Sequence, residues 1–304
     1  MFHTISFIIS EDDLRYVRLD KIMLAHFPTS TRALVNYAFE TTAVCVDGIP
    51  CPKAFRPTEG SVVTLPHLLE TKDRAATPQE GALDIVLVDP SILALNKPGG
   101  QPCHPVKPGE IGTLANIIVA RYPEMAGIGG DPLMPGLLHR IDAGTSGLVL
   151  CARTPEAFEF IRSQFTARTV KKIYTAVVHG NVREAGGVSG YLAHNSSFRG
   201  KMRCVSGAKL PRGEAPLFAE TFYKPIDHQN GKTILEVTIY TGVTHQIRCQ
   251  LASIGHPIVG DATYSPDSAF KGENGEFHLL HATAIEFVHP YTRKTVLLKA
   301  ALPF

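Results

Sequence analysis

Short apolar repeats at helical spacing open this chain, and apolar runs at strand spacing dominate the rest. Leu19, Ile22 and Met23 predict one short helix, and Leu34, Tyr37 and Ala38 a second, with Thr29 to Thr31 placed to cap it. The run AVCV then predicts a strand that turns at Asp47-Gly48 and returns toward SVVTL at 61 to 65. Residues 67 to 80, HLLETKDRAATPQE, are polar and aperiodic and read as a linker. Beyond it, LDIVLVD, ILALN, KIYTAVVHG, LFAETFYK and TILEVTIYT predict strands, while TLANIIVARY and PEAFEFIRSQFTA predict helices. Lys294 to Ala300 should close the fold as a strand, stopped by Pro303. Helices interspersed with hairpin-like strands point to an α+β fold with a mixed, largely antiparallel sheet. The division expected is a small module over 14 to 66, a linker over 67 to 80 and a large domain over 81 to 304.

Composition narrows the class. With 304 residues, 44% of them hydrophobic, the chain can fill a sizeable core. It shows neither an apolar run of about 18 residues nor a basic leader in MFHTISFIISEDD, so a soluble cytoplasmic protein is expected, acting as a monomer. Six cysteines, at 45, 51, 103, 151, 204 and 249, include no Cys-x-x-Cys pair and read as reduced core thiols. Cys45 and Cys51 flank a turn, yet no histidine or second pair completes a metal site. Neither a metal nor another cofactor is expected.

Charge is informative mainly through its distribution. Residues 1 to 80 carry eight basic and ten acidic side chains; the remainder carries 22 and 18. Two basic runs lie in the larger part: Arg162, Arg168, Lys171 and Lys172, then Arg199, Lys201, Arg203, Lys209 and Arg212. A single run is usually a solvated face, but two flanking one candidate site favour phosphate contact.

That site is HRIDAGTSGLVLCART, 139 to 154. Asp142 stands on a predicted turn of small residues, Ala143 to Gly147, ahead of a buried strand, Leu148 to Cys151. A carboxylate so held is suited to act as nucleophile or general base. The competing reading is an aspartate that caps its own turn. Gly144 to Gly147 lacks the spacing of a serine-hydrolase elbow, and Gly99-Gly100 reads as a turn because no phosphate-cradling lysine follows it.

Three segments together resemble the RluA-type family of pseudouridine synthases. They are Asn96, Lys97, Pro98, His104 and Pro105; His139 to Asp142 with Thr145 to Gly147; and Thr244 to Arg248 followed by Gly255 to Asp261. LLHATAIEFVHP, 279 to 290, is similar to the family's last core strand. The resemblance extends over about 220 residues in order. It implies the pseudouridine synthase fold and the isomerisation of specific uridines, in large-subunit ribosomal or transfer RNA, with Asp142 as the catalytic carboxylate. It further implies that Arg248 pairs with Asp142, that Tyr174 packs on the target base and could relay the proton lost from carbon five, and that Arg140 fills the space left by an extruded nucleotide. RNA contact is expected from Arg140, Lys97, Lys172, Lys201, Arg203 and His245. His139, His245 and His256 read as hydrogen-bonded scaffold histidines rather than a metal trio.

Ile247, Leu251 and Ile254 mark the predicted buried face of the helix at 244 to 254, with Arg248 beside it. Two departures from the family stand out: Val243 replaces a basic residue, and Cys249-Gln250 replaces Val-His. The first region resembles the small αL RNA-binding module of ribosomal proteins at Arg18 to Lys21, Thr31-Arg32, Val46 to Gly48, Lys53 and Glu59-Gly60, although its second helix offers only Arg32 as a base. Two rival functions remain. One is an idle RNA-binding or ribosome-assembly factor, against which Asp142, Tyr174 and Arg248 argue. The other is a glycoside hydrolase, for which no second acid is evident.

Overall fold

The apolar spacing of the first region folds as it reads. In the computed structural model, which describes residues 4–28, 30, 32–41, 44–66, 75–107, 109–195, 200–205, 216–265 and 277–304, α1 spans Leu19–His26 and α2 spans Arg32–Thr41. The cap at Thr29 to Thr31 and the side chain of Tyr37 lie outside the described residues, as do Arg199, Lys209 and Arg212. Strand β1 (Thr4–Ile8), ahead of the expected start at residue 14, pairs antiparallel with β4 (Val62–Pro66), which pairs with β2 (Cys45–Val46). β2 turns through Asp47 and Gly48, at φ 52° and 79°, into β3 (Ile49–Pro50), the geometry of a two-residue hairpin. Leu19, Ile22, Met23, Val35, Val63 and Leu65 close this core.

The chain divides into two compact units: Met1–Thr77 with Pro105–Ile111 and Asp131–Leu133, and Pro78–His104 with Gly112–Gly130 and Met134–Phe304. The second holds one large sheet. Its strands are β5 (Ile85–Val88), β6 (Ile92–Lys97), β7 (Ser146–Ala152), β8 (Lys171–His179), β9 (Gly186–His194), β10 (Met202–Val205), β11 (Leu217–Gln229), β12 (Lys232–Ile239), β13 (Leu280–Val288) and β14 (Thr295–Lys299). Their order is β10-β9-β11-β12-β8-β13-β7-β6-β5, with β14 paired to β13. Among the described residues only β13 and β7 pair in parallel, so the sheet is mixed and largely antiparallel, as expected.

Helices α3 (Leu114–Arg121), α4 (Pro155–Thr166) and α5 (Gln246–Ser253) complete the unit. Thr113 and Thr154 cap α3 and α4 by accepting from Asn116 N–H and Ala157 N–H, which satisfies otherwise orphaned donors. Among the described residues no helix is long and apolar enough to cross a membrane. The parallel pairing of β13 with β7 covers only His281 with Ser146 and Ala282 with Gly147, after which β14 takes over that edge of β13. Gly147 sits at φ 107°, and a Cβ there would lie 2.4 Å from the carbonyl oxygen of Ala282, so only glycine permits this junction. The turn that carries Asp142 leads directly into it.

Candidate active site

Residues 137 to 139 run back along β7, with Leu138 N–H donating to Leu150 O at 3.1 Å and Leu150 N–H donating to His139 Nε2 at 3.0 Å. Asp142 begins the connecting turn, which Thr145 N–H closes on Asp142 O at 3.0 Å. The turn is braced from both sides. Cys103 Sγ donates to Ile141 O, Gly100 N–H to Ala143 O, and Lys97 Nζ to Ala143 O at 3.1 Å. Opposite, Thr145 Oγ1 meets His278 Nε2 and Ser146 Oγ meets His281 Nδ1, each at 2.8 Å. The carboxylate is thus fixed while its side chain stays 26% exposed.

Arg248 reaches it from α5. Gln246 and Gln250 anchor that helix to β11: Gln246 Nε2 donates to Glu220 O and Thr221 Oγ1, and Gln250 Nε2 donates to Ala219 O while its Oε1 accepts from Thr221 Oγ1. The helix is buried almost all round rather than on one stripe. Gln246, Arg248 and Gln250 join Ile247 and Leu251 inside, while Ile254, expected on the buried face, is 38% exposed beyond the helix end.

Arg248 Nη1 donates to Asp142 Oδ2 at 2.8 Å, while Nε and Nη2 donate to Asp261 Oδ2 and Oδ1 at 2.7 and 2.9 Å. Burial works against the arginine's charge, but Asp261 and Asp142 more than offset it. Burial also opposes ionisation of Asp261, yet its hydrogen bonds and charge contact with Arg248 hold its carboxyl below the usual range. Backbone N–H groups of Thr263 and Tyr264 complete the shell of Asp261. Asp261 was visible in the sequence only as the end of a motif; its role depends on a contact thirteen residues away.

His245 occupies the left-handed region at φ 55°, which is uncommon for a residue with a side chain and costs on the order of 1 kcal/mol. It sets Nε2 3.9 Å from Asp142 Oδ2 and Nδ1 3.0 Å from the Tyr264 hydroxyl. That hydroxyl accepts from Met202 N–H at 2.8 Å, so its own proton is free for His245 Nδ1. Tyr264, unmarked in the sequence reading, also lies under Arg248 and Lys201, 5.3 and 5.2 Å from its ring centroid.

Tyr174 and Lys172 share the inner face of β8 and are both buried. Burial, reinforced by the charge of Asp142, raises the Tyr174 phenol, which stays protonated and is a poor proton acceptor at rest.

Two expected RNA contacts are corrected here. Lys97 is fully buried, and its ammonium donates to Pro98 O, Gln101 O and Ala143 O, leaving no proton for a phosphate. Lys172 is buried over the Phe165 ring and donates to Thr241 O at 2.6 Å, so the first basic run is not a continuous surface. Burial pulls both amines down to about 8. Arg140 is exposed, 3.3 Å from His104 Nε2, and Lys201 and Arg203 are half-buried beside β10. The three histidines serve separate contacts: His139 stacks on Phe165, His256 Nδ1 meets His179 O, and His245 faces Asp142. Cys204 is exposed, contrary to its reading as a core thiol.

Comparison with known proteins bears on the family and the fold. A family model described as RNA pseudouridylate synthase matches residues 91–253. An uncharacterised RNA pseudouridine synthase of Chloroflexus aurantiacus is 36% identical over 94% of this chain and 86% of its own length. The ribosomal large subunit pseudouridine synthase D of Yersinia pestis is 33% identical, over 94% and 87%. Among solved structures, human RNA pseudouridylate synthase domain containing 1 superposes with a TM-score of 0.58 at 24% identity, over 74% of this chain and 87% of that one, a likeness of fold.

Proposed function

The chain belongs to the RluA-type family of RNA pseudouridine synthases and isomerises uridine in RNA, and from that premise we propose that its substrate is ribosomal RNA of the large subunit. The Yersinia pestis relative, which aligns along nearly the whole chain, is named for the large ribosomal subunit, and this supports ribosomal over transfer RNA.

The reaction breaks the bond from sugar to ring nitrogen, turns the base and rejoins it through carbon five, and it requires neither redox nor phosphoryl chemistry. In this reading Asp142 is the nucleophile or base. Arg248 positions its Oδ2, and Tyr174 offers a protonated phenol and an aromatic face to an unstacked uracil. The single observation that carries the assignment is the guanidinium of Arg248 strung between Asp142 and Asp261, because it serves to aim one carboxylate oxygen.

Exposed Arg140 is suited to the space left by the extruded nucleotide, and Lys201 and Arg203 to phosphates. The first unit, two short helices followed by a hairpin, is proposed as an αL-type module that selects the target. Because one chain supplies every group named, the protein is proposed to act as a monomer, and a ribosomal substrate would place it in the cytoplasm.

The test is to map pseudouridines after incubating the protein with large-subunit ribosomal RNA and with transfer RNA from cells lacking its gene. New pseudouridine in the ribosomal RNA alone is expected. Modification of transfer RNA alone would overturn the substrate assignment, and modification of neither would favour an idle binder.

A further inference from the structure

Two cysteines far apart in sequence meet beside the active-site helix. Cys204, exposed on β10, has its sulfur 3.8 Å from that of Cys249, which is buried on α5 next to Arg248. We propose that Cys204 and Cys249 form an oxidisable thiol pair that peroxide closes to a disulfide, fastening β10 to α5 and lowering turnover reversibly.

The order of events follows from exposure. Hydrogen bonding with the Cys249 side chain draws the Cys204 thiol below its ordinary range, and Cys204 is the exposed member of the pair, so the accessible sulfur is the better nucleophile. It attacks one oxygen of hydrogen peroxide; the O–O bond breaks, hydroxide leaves and is protonated to water, and Cys204 becomes a sulfenic acid. Cys249 then loses its proton and attacks the Cys204 sulfur, the S–O bond breaks, and the hydroxyl leaves as a second water. Two thiols are oxidised, and one peroxide is reduced to two waters.

Bonding requires the sulfurs to approach to about 2 Å. α5 is held by Gln246, Gln250 and Arg248, whereas β10 is a strand of four residues that, among the described residues, lies at the sheet edge and pairs with β9 alone, so β10 makes the movement. β10 begins at Met202, whose N–H holds the Tyr264 hydroxyl that in turn holds His245 beside Asp142. Displacing the strand therefore disturbs the setting of the carboxylate. This consequence rests on the reading of Asp142 as catalytic; the disulfide itself does not.

The experiment treats fully reduced protein with equimolar hydrogen peroxide, blocks free thiols by alkylation, maps peptides by mass, and measures tritium release from carbon-five-labelled uridine RNA in parallel. A Cys204–Cys249 cross-link is expected, with turnover reduced at least about threefold and restored by dithiothreitol. Cys204→Ser should keep the basal turnover and resist peroxide. The proposal is overturned if both cysteines remain alkylatable, if Cys45 and Cys51 pair instead, if Cys204 passes to sulfinic acid without a cross-link, or if the cross-link leaves turnover unchanged. Inactivity of the reduced protein would instead count against the proposed function, and the peptide map would still decide the disulfide.

Discussion

Arg248 turns the two-nitrogen edge of its guanidinium to Asp261 and leaves one nitrogen, Nη1, for Asp142. Asp261 therefore sets the direction of the bond that holds the Asp142 carboxylate. Replacing the planar fork with a single ammonium cannot serve both carboxylates. Arg248→Lys is expected to lower turnover at saturating RNA by about a hundredfold, or about 2.7 kcal/mol in the barrier. Single-turnover kinetics on labelled RNA measure this, and near-normal turnover would show the bridge to be dispensable.

Asp261→Asn keeps the shape but leaves Arg248 facing Asp142 alone. Turnover should fall about tenfold or more, with RNA affinity nearly unchanged, and stability should drop by about 3 kcal/mol because a buried ion pair loses one partner. Denaturant melts and filter binding separate these effects. A loss of affinity with turnover intact would place Asp261 in RNA contact instead.

Lys97→Met removes the ammonium from three carbonyls that then lack a donor. A loss of about 2–4 kcal/mol of stability is expected, together with reduced turnover as the Ala143 carbonyl is released. The slope of log affinity against log salt should stay constant. A slope shallower by about 0.7 to 0.9 would mean that Lys97 had been contacting a phosphate after all.

Much of this was legible from local pattern. Strands β5 to β8 and β11 to β14 and all five helices carry apolar runs or caps that act within a few residues. β9 escaped because GGVSGYLAH has three glycines and little alternation, and β10 because four residues give no period. At the site, Asp142, Arg248 and Tyr174 stood out through motifs. The surroundings did not, since Asp261, Tyr264 and His278 acquire their roles only by contacts across the fold. Lys97 and Lys172 misled for a physical reason: a lysine is assumed to be solvated unless the fold surrounds its ammonium with carbonyls, and sequence spacing carries no sign of that.

Stability should decline in acid through two neutral histidines, His278, which is buried, and His139, which is half-buried. Burial lowers His139 from 6.5 to about 3, with Lys172 adding to the effect, and lowers His278 from 6.5 to about 4. Below about pH 6.5 the unfolded chain binds protons that the folded chain refuses, so stability is complete above that value and is lost as pH falls toward the folded pKa values. Each histidine contributes a slope of about 1.4 kcal/mol per pH unit. In His139→Gln, whose amide oxygen can still accept from Leu150 N–H, the slope of unfolding free energy between about pH 6 and 4.5 should be shallower by about that amount. Urea melts across this range measure it, and parallel curves for the two proteins would contradict the assignment.

The role of Asp142 is tested most directly by tritium release from carbon-five-labelled uridine RNA, wild type against Asp142→Asn. The amide preserves shape and can still accept from Arg248 Nη1, but it cannot act as nucleophile or base. Release is expected to vanish while RNA affinity and thermal stability stay near wild type. Release within about tenfold of wild type, a barrier change of only about 1.4 kcal/mol, would show that another group performs the chemistry.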